Sequence, residues 1–306
     1  MPDLGLLFSG QASQKVGMGA ELYRRSEAAR AVFDQADAAL GFSISRICFD
    51  GPDDLLTSTE NAQPALVTVE LAMLAALVEN GLDLSTVCCV AGHSLGEYAA
   101  LAAAGALSAP DAIRLVRRRG ELMAEAERDV PGGMAAVLGL GRGDVERLCA
   151  EHAGSGVLQV ANLNCPGQVV ISGDAGPLAA VAGPLKEAGA KRVVELAVSG
   201  AFHSKRMEPV RPALAEALDA VPVSAPRVPV YANATAAPVA SPDEVREALV
   251  AQVAAPVLWG GSVRAMIGSG AARFIEVGPG KVLAGLMRRI DGTVSMETAE
   301  AVLGCG

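Results

Sequence analysis

The chain has 306 residues, 51 % of them hydrophobic and 3 % aromatic, with a formal net charge of −9. That length suits one large α/β unit, or a main domain carrying a smaller one, and the apolar fraction excludes a disordered chain. The negative charge opposes binding to nucleic acid or to an anionic membrane, but not to an acidic protein that docks on a local basic patch. Asp3 follows Met1 and Pro2 directly, so the N-terminus does not read as a signal peptide. The longest apolar run, around residues 99–107, is short of the about 20 residues that cross a bilayer. Cys48, Cys88, Cys89, Cys149, Cys165 and Cys305 form no C-x-x-C pair, and no histidine stands at metal-ligand spacing from them. They read as buried free thiols in a reducing compartment, which makes the cytoplasm the expected location and a metal site unexpected.

In chain order, residues 4–8 read as a buried strand, followed by a loop rich in Gly, Ser and Gln. Helical periodicity runs over 20–40, and a second helix is expected from Pro64 to about residue 79, with the proline in its first turn. The valine-rich run 87–91 predicts a buried strand, with a helix directly after Ser94 and another over 109–126. The character changes at Asp129-Val130-Pro131-Gly132-Gly133. Strand 134–140, helix 143–151, strands 157–162 and 168–172, helix 177–188 and strand 192–196 then give a βαββαβ order, the ferredoxin-like arrangement. Pro184 is expected to disturb the second of those helices. The alternation resumes with helix 207–220, strand 228–232, helices 243–253 and 259–267, strand 273–277 and a last helix after Gly278-Pro279-Gly280. The expected fold is α/β: a large α/β-hydrolase-like catalytic domain with a mainly parallel sheet (1–128 and 199–306) and an inserted small ferredoxin-like domain (129–198).

Gly92-His93-Ser94-Leu95-Gly96 fits G-x-S-x-G between a strand and a helix. Such a sharp turn lifts a serine hydroxyl to the carboxyl edge of the sheet, beside a helix N-terminus that favours an oxyanion. The alternative is a tight turn in which Ser94 only caps the helix. Of three histidines, His93 lies inside the turn and should point away from the serine, and His152 sits at a helix end in the insert. His203 is left as the candidate general base, against the alternative of a structural loop histidine. On the helix over 109–126, Ala112, Leu115, Val116, Leu122, Met123 and Ala126 make an apolar stripe, and Arg119 falls on it. A guanidinium facing a core needs a partner. Arg119 grips a substrate carboxylate, bonds a distant acid, or snorkels its head to solvent. Residues 10–14 sit at the carboxyl edge of the first strand, where a backbone N–H can add to an oxyanion hole with that of Leu95.

Taken together, these segments resemble the malonyl-CoA:acyl-carrier-protein transacylase family, which includes acyltransferases of polyketide synthases. The pieces that carry the likeness are Gly10-Gln11-Ala12-Ser13-Gln14, Gln63-Pro64-Ala65, Gly92-His93-Ser94-Leu95-Gly96-Glu97-Tyr98, Arg119-Gly120, Asn164-Cys165-Pro166-Gly167-Gln168, Gly200-Ala201-Phe202-His203-Ser204, Gln252 and Glu276-Val277-Gly278-Pro279-Gly280-Lys281. The resemblance implies Ser94 as nucleophile, His203 as base, Arg119 on the malonyl carboxylate, and the backbone N–H groups of Gln11 and Leu95 as oxyanion hole. It also implies a main-chain carbonyl near Gln252 orienting the histidine, Gln63 lining the pocket, and Phe202 as the malonyl-selecting residue. The implied substrates are malonyl-CoA and a phosphopantetheinylated acyl carrier protein, with no bound cofactor or metal, and the chain is compatible with a monomer. Lys186, Lys191, Arg192 and Lys205 are candidates for a carrier-docking patch. The family usually shows Phe-Pro-Gly-Gln-Gly-Ser-Gln, whereas here Ser9 follows Phe8 and Ala12 replaces the second glycine. Ala12 is therefore expected in a conformation open to a residue with a Cβ. A serine hydrolase acting on carrier proteins fits the same turn and histidine, and a non-catalytic docking module is a third reading.

Overall fold

Strand β1 (Leu4–Phe8) is buried at all five positions, as a strand covered by helices on both faces must be. It lies beside β2 (Val87–Gly92) at the centre of a six-stranded sheet in the computed structural model, which describes residues 2–128, 131–198 and 200–305. The remaining strands of that sheet are β7 (Val230–Tyr231), β8 (Pro238–Val239), β9 (Arg273–Val277) and β10 (Ser295–Thr298), in the order β10-β9-β1-β2-β7-β8. Every pairing is parallel except that of β8 with β7. One face packs on helices Glu27–Leu40, Thr59–Glu79 and Ala109–Ala126; the other packs on Trp259–Gly268 and Val282–Ile290.

The periodic segment over 20–40 is two helices, Ala20–Arg25 and Glu27–Leu40, because Ser26 is extended and its hydroxyl accepts the Ala29 N–H at 3.0 Å as an N-cap. Two short helices, Ile44–Asp50 and Asp53–Thr57, β8, β10 and the helix Ala299–Leu303 were not anticipated. Helix Thr59–Glu79 begins a turn before Pro64, which sits inside it. A proline there deprives the Glu60 carbonyl of its helical donor. Arg117 Nη1 supplies the missing bond at 3.1 Å. Contrary to the expectation that no apolar stretch is long enough, this 21-residue helix could cross a membrane by length and composition, but 89 % of its apolar window is buried inside the fold.

The second sheet contains β3 (Gly132–Leu138), β4 (Leu158–Cys165), β5 (Gln168–Asp174) and β6 (Arg192–Glu195), in the order β4-β5-β3-β6, with every pair antiparallel. It packs against helices Arg142–His152 and Ala175–Glu187 around a core of its own, including Val137, Val145, Ile171, Val181 and Leu185. Pro184 does not end its helix: the carbonyl it leaves unpaired belongs to Ala180, an exposed residue that water can serve. Where this unit meets the main body, Leu163 N–H bonds Val257 O and Val257 N–H bonds Ala161 O, each at 2.8 Å. The expected boundaries at 128/129 and 198/199 involve residues 129, 130 and 199, which lie outside the described residues.

Candidate active site

The turn between β2 and helix Gly96–Ala103 holds Ser94 at φ +52°, in the left-handed region. Two glycines make this possible. A Cβ on Gly92 would collide with the Gly96 carbonyl group, and one on Gly96 with the Ser9 carbonyl oxygen. Asn233, fully buried at the end of β7, fastens both sides of the turn. Its Oδ1 accepts the Ser94 N–H and its Nδ2 donates to Gly92 O, both at 2.7 Å. The Ser94 amide is therefore already engaged.

His203 Nε2 lies 2.7 Å from Ser94 Oγ. Its Nδ1 is 2.9 Å from Gln252 O and 3.2 Å from Ala255 O. Carbonyls only accept, so Nδ1 carries the proton and Nε2 is left to accept from the serine. His203 is itself at φ +56°. Burial, and then the Arg119 charge, push its pKa down to about 3, so the ring is neutral over the ordinary pH range. His93 points elsewhere, with Nε2 2.9 Å from Asn164 Oδ1 and its ring 5.3 Å from that of Trp259. His152 ends its helix, with Nδ1 2.9 Å from Leu148 O.

Arg119 is completely buried on the predicted stripe, and Arg114 and Arg118 are exposed. Its partners are two amides and the serine: Nη1 donates to Gln63 Oε1 at 2.7 Å, and Nη2 to Gln252 Oε1 at 3.0 Å and Ser94 Oγ at 3.2 Å. Its Nε has no partner, and its guanidinium carbon lies 6.0 Å from the centre of the Tyr98 ring. Among the described residues, no carboxylate bonds it directly. Glu97, 1 % exposed, stands behind Gln252: its Oε2 accepts the Asn233 N–H at 2.9 Å and Gln252 Nε2 at 3.0 Å. Burial pushes the pKa of Glu97 up to about 7, against the pull of its hydrogen bonds and of Arg119. Gln252 Nε2 also donates to Ser94 O at 2.8 Å, so this one residue touches the serine, the histidine, the arginine and the acid.

Gly10 is pressed on His93, since a Cβ there would lie 3.0 Å from its carbonyl oxygen. Gln11 follows at the rim of a cleft of about 190 Å³ that His93, Asn162, Asn164 and Gln168 also line. Among the described residues, nothing accepts the N–H groups of Gln11 or Leu95. Ala12 departs from expectation: it is at φ +74°, the region the usual glycine enters freely. Its N–H donates to Gln14 Oε1 at 2.8 Å, and Ser13 Oγ donates to Gly10 O at 2.8 Å, so local bonds hold the strained turn. Phe202 is 4 % exposed and packs in the main core beside Gly200. Ser94, His203, Arg119, Gln63 and Gln252 thus meet at one point, with Leu95 next to the serine and Gln11 across His93. Sequence reading gave no role to Asn233 or Glu97. An acid following a G-x-S-x-G turn on an otherwise apolar helix is a usable signal for Glu97, whereas an asparagine after a two-residue strand offers none.

A family model for the acyl transferase domain matches residues 6–304. A malonyl CoA-acyl carrier protein transacylase of Bacillus subtilis is 44 % identical over 292 residues, covering 95 % of this chain and 91 % of that protein. The crystal structure of an acyl-carrier-protein S-malonyltransferase from Bartonella henselae superposes with a TM-score of 0.94 at 42 % identity, covering 99 % of each chain. A complex of a type II polyketide synthase carrier protein with its malonyl-transacylase, PlMCAT:AntF, gives a TM-score of 0.92 at 36 % identity, covering 97 % of this chain and 94 % of that one. With the match spanning nearly the whole sequence, this chain belongs to the acyl transferase family.

Proposed function

We propose that the protein transfers a malonyl group from malonyl-CoA to the phosphopantetheine thiol of an acyl carrier protein, through an ester on Ser94. The carrying observation is the buried Arg119 guanidinium, bonded to Ser94 Oγ and to amides but, among the described residues, to no acid. A buried cation so placed is a receptor for a carboxylate at the far end of a short acyl chain. An ordinary esterase has no use for it.

His203 Nε2 takes the serine proton while Ser94 Oγ adds to the thioester carbonyl. The N–H groups of Gln11 and Leu95 receive the oxyanion, and the Gln252 carbonyl keeps His203 in the right tautomer. The CoA sulfur leaves with the proton from His203. A carrier thiol repeats the sequence in reverse, with its proton passing through His203 to Ser94. Arg119 fixes the acyl group between thiols, and Gln63 and Phe202 shape its pocket. The steps balance with these groups and two thiols, and call on no bound cofactor.

The similarity to the PlMCAT:AntF complex supports a carrier protein as partner, and the four candidate docking residues, Lys186, Lys191, Arg192 and Lys205, are all exposed. We read 1–128 with 199–306 as an α/β-hydrolase-like catalytic domain, supported by the nucleophile turn after a central parallel strand. Residues 129–198 are read as a ferredoxin-like insert, supported by the order β4-β5-β3-β6. Six free thiols, four of them buried, fit a reducing compartment such as the cytoplasm.

The test is an intact mass after incubation with malonyl-CoA alone. A gain of one malonyl group, absent in Ser94→Ala, supports the acyl-enzyme. Steady release of CoA without an adduct supports hydrolysis instead.

A further inference from the structure

Arg119 and Glu97 are buried together, and Gln252 stands between them. In the resting site one cation faces one acid. Among the described residues, the elements around Glu97 bring no other compensating charge. Helix Ala109–Ala126 contributes Arg119, the acid's own helix contributes Tyr98, and the loop after the insert contributes the neutral His203. Strand β7 and helix Pro242–Gln252 offer the uncharged Asn233 and Gln252, and helix Thr59–Glu79 offers Gln63. Glu70, a further buried acid of that last helix, accepts Ser9 Oγ at 2.7 Å.

A malonyl group on Ser94 adds a second carboxylate to this pocket. Two buried acids cannot both be balanced by one guanidinium, and a net buried charge is costly. We propose that Glu97 takes up a proton from solvent when an anionic acyl group occupies Arg119, and releases it when that group leaves on the carrier thiol. The inference rests on the malonyl-transfer reading above. Glu97 is here a positioning residue: it touches Asn233 and Gln252, not the substrate. Its geometry suits the role. Both bonds it accepts fall on Oε2, so a proton on Oε1 leaves the fastening of the nucleophile turn intact. Its elevated pKa puts the exchange within reach of neutral pH. In the balance, CoA leaves as a thiol carrying the serine's proton, and the extra proton on Glu97 comes from water. Loading is therefore favoured as pH falls from above the resting pKa of Glu97.

The experiment measures proton uptake with an indicator dye in weak buffer at pH 8, corrected for ionisation of the released CoA thiol. Adduct is counted by intact mass in the same samples. The expected result is about half to one proton per malonyl adduct, and none per acetyl adduct. Glu97→Gln, scored per mole of whatever adduct it forms, should take up none. Malonyl adduct without proton uptake, equal uptake for acetyl and malonyl, or uptake retained in Glu97→Gln each overturn the proposal and leave malonyl transfer standing. If Glu97→Gln does not fold, the malonyl-to-acetyl contrast in the unmutated protein still decides. Absence of any malonyl adduct in the unmutated protein would overturn the transfer reading itself.

Discussion

The network that joins Arg119 to Ser94 and the 10–14 loop beside His93 are held differently by the chain. On the first side Arg119, Gln63, Gln252 and Glu97 come from four separate helices and Asn233 from the turn after β7, all nearly or fully buried, and each is fixed by at least one other member of the set. On the second, the loop is held mainly by bonds among its own neighbours and contains an alanine in a glycine conformation. A buried polar network must be satisfied completely, so it is specified by many residues at once. An exposed turn tolerates a local compromise, because water serves whatever the chain leaves unpaired.

This contrast is best broken at its strongest point. Arg119→Ala should lower malonyl loading by on the order of a hundredfold, about 3 kcal/mol, while uncharged acyl donors lose much less. The comparison is kcat/KM for malonyl-CoA against acetyl-CoA, and equal losses would remove the anchoring role. Asn233→Ala leaves the Ser94 N–H and the Gly92 carbonyl unpaired in a buried turn, so unfolding free energy should fall by about 2–3 kcal/mol. Asn233→Asp keeps the acceptor and loses the donor, and should fall between. Denaturant melts of the three proteins give the order, and an unchanged midpoint for Asn233→Ala would show that the glycines alone hold the turn.

The opposite side predicts a gain. Ala12→Gly relieves a left-handed alanine and should stabilise by about 1 kcal/mol, less the entropy cost of the added glycine. A lower melting temperature would mean that the alanine is not strained. The smallest effect concerns pH. With its pKa near 3, His203 stays unprotonated far below the usual histidine range, so kcat/KM should show no acid limb at pH 6–7 from this residue. Its stability contribution runs the same way. The unfolded ring binds protons near 6.5 and the folded ring does not, so stability present above that value is lost as pH falls toward 3. Glu97 acts in the opposite sense between 4.5 and about 7, because the folded state keeps its proton. Comparing His203→Ala and Glu97→Gln melts across pH 4–8 separates the two slopes.

Much of this was legible in residue order. β1, the helix Ala109–Ala126 and β9 fall at the expected residues, because each is set by its own apolar spacing or by glycines at its ends. Ser94 and His203 were legible from a strand-turn-helix pattern and from a shortage of histidines. The start of helix Thr59–Glu79 was not, since Pro64 is tolerated there only because Arg117, fifty-three residues later, serves the carbonyl it frees. Nor were β8 and β10, which are short edge strands made by pairing with what lies beside them.

The sequence by itself determined the α/β alternation, the strand-turn-helix around Ser94 and the presence of an arginine on an apolar face. These depend on spacings of a few residues, where local sterics and side-chain periodicity act. Only the tertiary structure decided what that arginine bonds, that Asn233 consumes the serine's amide, and that Glu97 shares the arginine's pocket. Those contacts join residues more than twenty positions apart, and their energies depend on burial, a property of the assembled fold rather than of any segment of the chain.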